Sequence, residues 1–202
     1  MVAHLLAFGF PIAVCGFASV NFSFFAFHPM LMSIAFGLLM TEAMLLFSTE
    51  SSLEARSTPR IVRAEKHGKL LIFTLFVVLA GFGVIFYNKT IKEKPHFTSW
   101  HGFIGLLAVG YVAMQVFAGI LLKNNRFVLP YLPKSFTLAK WKLMHSLSGC
   151  LAYLLAMAAM ILGLQSDWFK LNAHEYLWGG CCIAALLLTF SSTNPTNLNR
   201  AT

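Results

Sequence analysis

Charge is what this chain has least of. Only 11% of its 202 residues are Asp, Glu, Lys or Arg, where a soluble domain carries about 25%. With 58% hydrophobic residues, the chain lacks the polar surface a water-soluble globular protein needs, and that class is excluded. Acid is scarcer than base, with 7 Asp+Glu against 15 Lys+Arg. The resulting excess of positive charge does not point to nucleic acid. The cations lie in short loops beside apolar runs, where they act as topology signals, so no nucleic-acid partner is expected. Cysteine is also sparse. Cys15, Cys150, Cys181 and Cys182 all lie inside apolar runs and form no CxxC. That pattern excludes a disulfide framework and a zinc ribbon, and leaves buried, inert thiols. No low-complexity tract is present.

What the chain does have is apolar length. Runs of about 18 or more apolar residues read as membrane-spanning helices. Six occur: Val2–Val20, Pro29–Phe47, Gly68–Tyr87, Gly102–Leu122, Leu143–Leu164 and Tyr176–Thr193. They use up most of the sequence, so residues 1–202 read as one all-α membrane domain with no room for a soluble one. The first run has neither a basic leader nor a small-residue cleavage site, and reads as a retained helix rather than a signal peptide.

Six spans put the N-terminus, loop 2–3, loop 4–5 and the C-terminus on one side. That side holds eleven basic residues: Arg56, Arg60, Arg63, Lys66, Lys69, Lys123, Arg126, Lys134, Lys140, Lys142 and Arg200. The other holds four: Lys89, Lys92, Lys94 and Lys170. The excess places both termini in the cytosol. Two N-x-S/T sequons, at Asn21 and Asn88, fall on the opposite side, in agreement. Both lie close to a span end. The proline-broken stretch Phe127–Pro133 in loop 4–5 suits the membrane interface.

Four histidines then stand out: His28, His67, His101 and His145, each near the start of a different span. An ionisable side chain inside a membrane is a functional candidate by default. Spans 2 and 4 start at the non-cytosolic face, so His28 and His101 lie there. Spans 3 and 5 start at the cytosolic face, so His67 and His145 lie there. Each face receives one imidazole from each of two parallel helices. Two imidazoles can ligate one haem iron from opposite sides, which points to two b-type haems per chain, stacked across the bilayer. Zinc fits less well, because it wants three or four protein ligands.

Positions fourteen residues apart on a helix return to nearly the same face, about 21 Å along the axis. Fourteen after His28 is Glu42, and fourteen after His101 is Gln115. Both are expected in the environment of the cytosolic haem. Fourteen after His67 is Gly81 and fourteen after His145 is Ala159, small residues that leave room at the non-cytosolic haem. Gly105 and Gly149, four residues after His101 and His145, are expected to let a flat ring lie against the backbone. Glu42, the only carboxylate well inside a span, is a candidate for tuning the cytosolic haem. His4 and His174 have no matched partner and read as non-ligands. His96, five residues before His101, is a candidate substrate contact at the non-cytosolic haem edge.

Several stretches carry a resemblance over essentially the full chain. Phe27–Met32 reads FHPMLM, Pro95–Gly102 reads PHFTSWHG and Ala139–His145 reads AKWKLMH. These, with Met40–Ala43 (MTEA) and Glu50–Leu53 (ESSL), resemble the cytochrome b561 family of transmembrane reductases, and one subgroup of it in particular. The resemblance implies six helices with a four-helix haem core of spans 2–5, and a ligand pairing that agrees with the topology: His28 with His101, and His67 with His145. It implies a homodimer, cytosolic ascorbate as donor, and monodehydroascorbate radical or ferric iron as acceptor across the membrane. From the subgroup it implies an endoplasmic reticulum or vesicle membrane. Ascorbate-using members end span 2 with basic residues; here Ala43–Glu50 has none. Arg63, Lys66, Lys69, Lys140 and Lys142 are the substitute cations that would hold propionates or an anionic donor.

The expectation is therefore transmembrane electron transfer, entering at the His67/His145 haem and leaving from the His28/His101 haem, without a catalytic acid–base pair. A polytopic metal or proton transporter is the alternative, but such sites lie near the midplane at broken helices, whereas these histidines lie near helix starts. A membrane scaffold would not need histidines matched by face.

Overall fold

The computed structural model describes residues 1–48, 53 and 57–193. Arg56 and Arg200, counted above for orientation, and Glu50–Ser52 of the subgroup resemblance lie outside the described residues. So do the last residues of the chain. Six helices are long and apolar enough to cross a membrane: α1 (Val2–Val20), α2 (Phe24–Leu45), α3 (Arg60–Ile91), α4 (Trp100–Lys123), α5 (Leu138–Leu164) and α6 (Glu175–Thr193). No strand occurs among the described residues.

Each expected span lies in one of these helices, and the differences are at the ends. α3 runs 32 residues, because the segment before Gly68 is rich in Arg, Ala, Glu and Lys, all strong helix formers. The helix therefore outlasts the apolar run on its polar side. α2 starts before Pro29, since proline is tolerated in a first turn. Ser99 caps α4 by accepting from the Gly102 amide at 3.1 Å. Thr137 caps α5 by accepting from the Lys140 amide at 3.3 Å.

α2 is not uniform. It opens as a 3₁₀ turn, becomes α-helical over Phe27–Met32, turns π-helical over Ser33–Met40, and returns to α over Thr41–Leu45. Thr41 Oγ1 donates to the Phe36 carbonyl five residues back, at 3.0 Å. That hydroxyl also meets Tyr153 Oη of α5 at 2.8 Å. Thr41 has already given its proton to a carbonyl, so Tyr153 is the donor. Both side chains are buried, and the bond ties the π stretch to α5.

α2 packs on α3, α3 on α4, α4 on α5, and α5 on α2, which closes a ring of four helices. The α4–α5 contact is the most extensive. α1 and α6 pack on each other outside the ring, α1 against α2 and α6 against α5. Close approach of α1 needs Gly37: a Cβ there would lie 2.7 Å from the Phe10 ring. The outward faces carry Phe73, Phe76, Phe117, Leu147 and Phe190, all exposed, as lipid contact requires.

Candidate functional site

The four singled-out histidines sit at the two ends of the ring, and the backbone of a facing helix holds three of them. His28 Nδ1 lies 2.9 Å from the Gly81 carbonyl oxygen on α3. His101 Nδ1 lies 2.8 Å from that of Ala159 on α5. His67 Nδ1 lies 2.9 Å from that of Ala43 on α2. A carbonyl can only accept, so each Nδ1 carries the proton. Each Nε2 is then left with its lone pair, the form that binds a metal.

His28 and His101 come together at one end, with ring centroids 6.1 Å apart and planes at 77°. At the other end His67 is the electrostatic neighbour of His145. Gly81 and His67 are fourteen residues apart on α3, so the two imidazole pairs are separated by about 21 Å along the axis. That fits inside a hydrocarbon core roughly 30 Å thick. Among the described residues, no three His, Cys, Asp or Glu gather to hold a metal ion.

A cavity of about 270 Å³ opens at the His28/His101 end, lined among others by Phe82, Phe86, Lys89, His96, Phe97 and Gly105. Gly105 faces open space, with nothing within 4 Å of a Cβ built on it. His96 stacks on Phe86 at 4.3 Å, and its Nε2 meets Thr90 Oγ1 at 3.3 Å. The loop carrying it turns sharply. Glu93 and Phe97 have φ of 51° and 57°, a region few non-glycine residues occupy. The turn folds Phe97 back over α4, 3.3 Å from where a Gly102 Cβ would be.

At the opposite end a cleft of about 520 Å³ is lined by Glu42, Lys66, Lys69, Leu70 and Phe73, with Leu45, Leu46 and Leu53. Of the five cations considered, Lys66 and Lys69 line this cleft. Arg63 instead donates to the Leu46 carbonyl at 3.1 Å, holding α3 to the end of α2. Lys140 donates to the Ser135 carbonyl at 2.8 Å. Lys142 is half-buried on α5.

Glu42 departs from the fourteen-residue arithmetic. It turns to α1, where His4 Nδ1 lies 2.8 and 2.9 Å from its two oxygens. The π stretch explains this. Its wider turns displace every later residue around the axis, so Ala43, not Glu42, faces His67. His4 is buried, and it is a carboxylate partner, which its sequence position did not suggest. His174 stacks on Tyr176 at 5.5 Å.

Two further glycines lie against the histidine rings themselves. A Cβ on Gly163 would lie 3.0 Å from His101 Cε1, and one on Gly119 would lie 3.3 Å from His145 Cε1. A Gly149 Cβ would instead meet Gln115 Oε1, at 3.9 Å. The signal was in the sequence: Gly119 is eighteen residues after His101, and Gly163 is eighteen after His145. Eighteen residues are five full turns. Gln115 Nε2 donates to Ser148 Oγ on α5.

A four-helix ring with an imidazole pair at each end, three of the four held by backbone carbonyls, defines a polytopic helical membrane protein with paired candidate ligands. The comparisons with known proteins give its family. Residues 27–170 match the family described as eukaryotic cytochrome b561. The chain is 43% identical to "Transmembrane reductase CYB561D2" of Bos taurus over 176 residues, 87% of this chain and 77% of that protein. It is 42% identical to the Homo sapiens protein of the same name over the same shares of each chain. To "Probable transmembrane reductase CYB561D1" of Homo sapiens it is 33% identical over 181 residues, 90% of this chain and 76% of that one. The chain belongs to the eukaryotic cytochrome b561 family of haem b proteins, whose work is transmembrane electron transfer.

The residues present fit that group. A porphyrin fills four positions on its iron, so two imidazoles without a third protein ligand are what it needs. A metal-bound imidazole nitrogen lies about 2 Å from its metal. Two rings sharing one metal then have centroids roughly 6 Å apart, close to the 6.1 Å between His28 and His101.

Proposed function

We propose that this chain is a transmembrane reductase with two b-type haems, one held by His28 and His101 and the other by His67 and His145. It takes electrons from cytosolic ascorbate and passes them to monodehydroascorbate radical or ferric iron on the other side. The observation that carries this is the locking of His28, His67 and His101 by backbone carbonyls at 2.8 to 2.9 Å, which presents Nε2 at both ends of one helix ring. When bound, the haems supply one-electron chemistry that no side chain here supplies.

The protein's own residues do the rest. Gly81, Ala159 and Ala43 fix the ligand tautomers. Gly119 and Gly163 admit the rings. Lys66 and Lys69 put positive charge in the cleft at the donor end, beside Glu42, and suit an anionic donor. Lys89 and His96 face the cavity at the acceptor end. The count of basic residues supports cytosolic termini, and the family resemblance supports a homodimer in an endoplasmic reticulum or vesicle membrane.

The test is spectral. Purified full-length protein should show a sharp visible band on dithionite reduction and two haems per chain. His28→Ala and His101→Ala should each lose one haem, the same one; His67→Ala and His145→Ala should each lose the other. A colourless protein, or a haem count untouched by these changes, overturns the reading and favours a transporter.

A further inference from the structure

Three of the four proposed ligands have an Nδ1 acceptor, and their positions follow one rule. Gly81 is fourteen residues after His67, Ala159 is fourteen after His145, and Ala43 is fifteen after His28 across the π stretch. Each ligand thus bonds the partner helix about fourteen residues beyond that helix's own histidine. The fourth, His145, breaks the pattern: its Nδ1 is buried and has no partner among the described residues. The position the rule assigns to it is Gln115, fourteen after His101.

Gln115 has the complementary defect. Its Oε1 is also buried without a partner among the described residues. Its orientation is fixed by Ser148, whose Oγ donates to the Met144 carbonyl at 2.6 Å and so can only accept from Gln115. The NH₂ end must face Ser148, which leaves Oε1 as the free acceptor. The two residues lie on facing turns of α4 and α5, and the His145 edge nearest α4 is Cε1–Nε2, so a turn of the ring is what brings Nδ1 toward Oε1. His145 lies over Gly119, one turn from Gln115, and Gln115 Oε1 lies over Gly149, one turn from His145. A buried donor and a buried acceptor are each costly alone, and here they sit on facing turns.

We propose that Gln115 is the positioning residue of His145. Its Oε1 accepts a hydrogen bond from Nδ1–H and leaves Nε2 for the iron, so that a side chain does for this ligand what backbone carbonyls do for the other three. This deepens the haem reading above and rests on it. It also makes His145 the one ligand whose basicity a single substitution can change. A stronger acceptor on Nδ1 gives the imidazole more anionic character and favours ferric iron.

The experiment compares wild type, Gln115→Met and Gln115→Glu as purified full-length proteins, by haem-to-chain ratio, ferric low-spin resonance and potentiometric titration. His145→Ala identifies which signal belongs to this site. Gln115→Met, lacking the acceptor, should raise the potential of that haem. Gln115→Glu, with a stronger acceptor, should lower it. Each shift should be about tenfold in the ferric-to-ferrous ratio at fixed ambient potential, or roughly 59 mV for one electron, with the other haem unmoved. Unshifted potentials, shifts of one sign in both variants, or equal shifts at both haems overturn the Gln115 assignment and leave the haem reading intact. If the Met variant does not accumulate, an unshifted Glu variant is sufficient to overturn it. Retention of both haems in His145→Ala overturns the ligation itself, and the assignment with it.

Discussion

At the residue scale, the chemistry depends on which imidazole nitrogen is left over. Binding Nδ1 to a backbone carbonyl settles that without any acid or base nearby, and mutation of the accepting side chain cannot remove a carbonyl. What mutation can do is fill the space beside the ring. Gly163→Ala would put a Cβ 3.0 Å from His101, and Gly119→Ala one 3.3 Å from His145. His101 is held in place by its 2.8 Å bond to the Ala159 carbonyl, and in each case it is the imidazole that would have to give way. Each substitution should weaken haem retention at its own end by about 10- to 100-fold, the range for groups that orient a metal ligand. Gly83→Ala, at an exposed position outside the cavity whose Cβ meets nothing within 4 Å, should leave both sites filled. Titrating each apoprotein with haemin checks this, and equal losses in all three would show that the ring contacts do not matter. The histidines were readable from the sequence because imidazole is expensive in lipid. The glycines beside them were readable only by counting five whole turns rather than four.

At the scale of elements, hydropathy made the six helices plain, since nothing but a helix can span a bilayer with its backbone bonds satisfied in this composition. The π stretch at Ser33–Met40 was not readable. Its sequence, SIAFGLLM, has the composition of any apolar helix, and its cause is tertiary: Thr41 is held by both Phe36 and Tyr153. For the same reason the partnership of Glu42 with His4 could not be foreseen, because it needs both the displaced register and the docking of α1. The stretch has a consequence at the site. It turns Ala43 toward His67 and Glu42 toward α1. Deleting one residue of it, Leu38, should remove the bulge and leave Ala43 fourteen residues after His28, still facing His67, because the π stretch holds one residue more than plain α turns do. Both haems should then be retained. Absorption spectra with haem counting on the deletion variant decide this. Loss of the haem at the His67/His145 end would mean that the stretch sets the register of Ala43 by more than its one extra residue.

For the whole molecule, the four-helix ring puts the two imidazole pairs about 21 Å apart along the axis, with α1 and α6 packed outside it. The separation matters because each end has its own opening. The cleft with Lys66 and Lys69 lies at the end of His67, and the cavity with Lys89 and His96 at the end of His28 and His101. Under the proposed function, a donor at one opening is too far from an acceptor at the other for direct exchange, and flux passes through both sites in series. This gives a prediction that single-site spectra cannot. In sealed proteoliposomes loaded with ascorbate and facing an impermeant ferric acceptor outside, wild type should carry electrons across. His101→Ala should cut that flux by at least about 100-fold, equivalent to roughly 2.7 kcal/mol on the barrier, while the remaining haem is still reduced by ascorbate from inside. His145→Ala should abolish both flux and rapid reduction from inside. Selective loss of flux in His101→Ala follows only if the two ends act in sequence. Equal reduction of the outside acceptor by wild type and His101→Ala would show that donor and acceptor meet at the same end, and the transmembrane route would have to be given up.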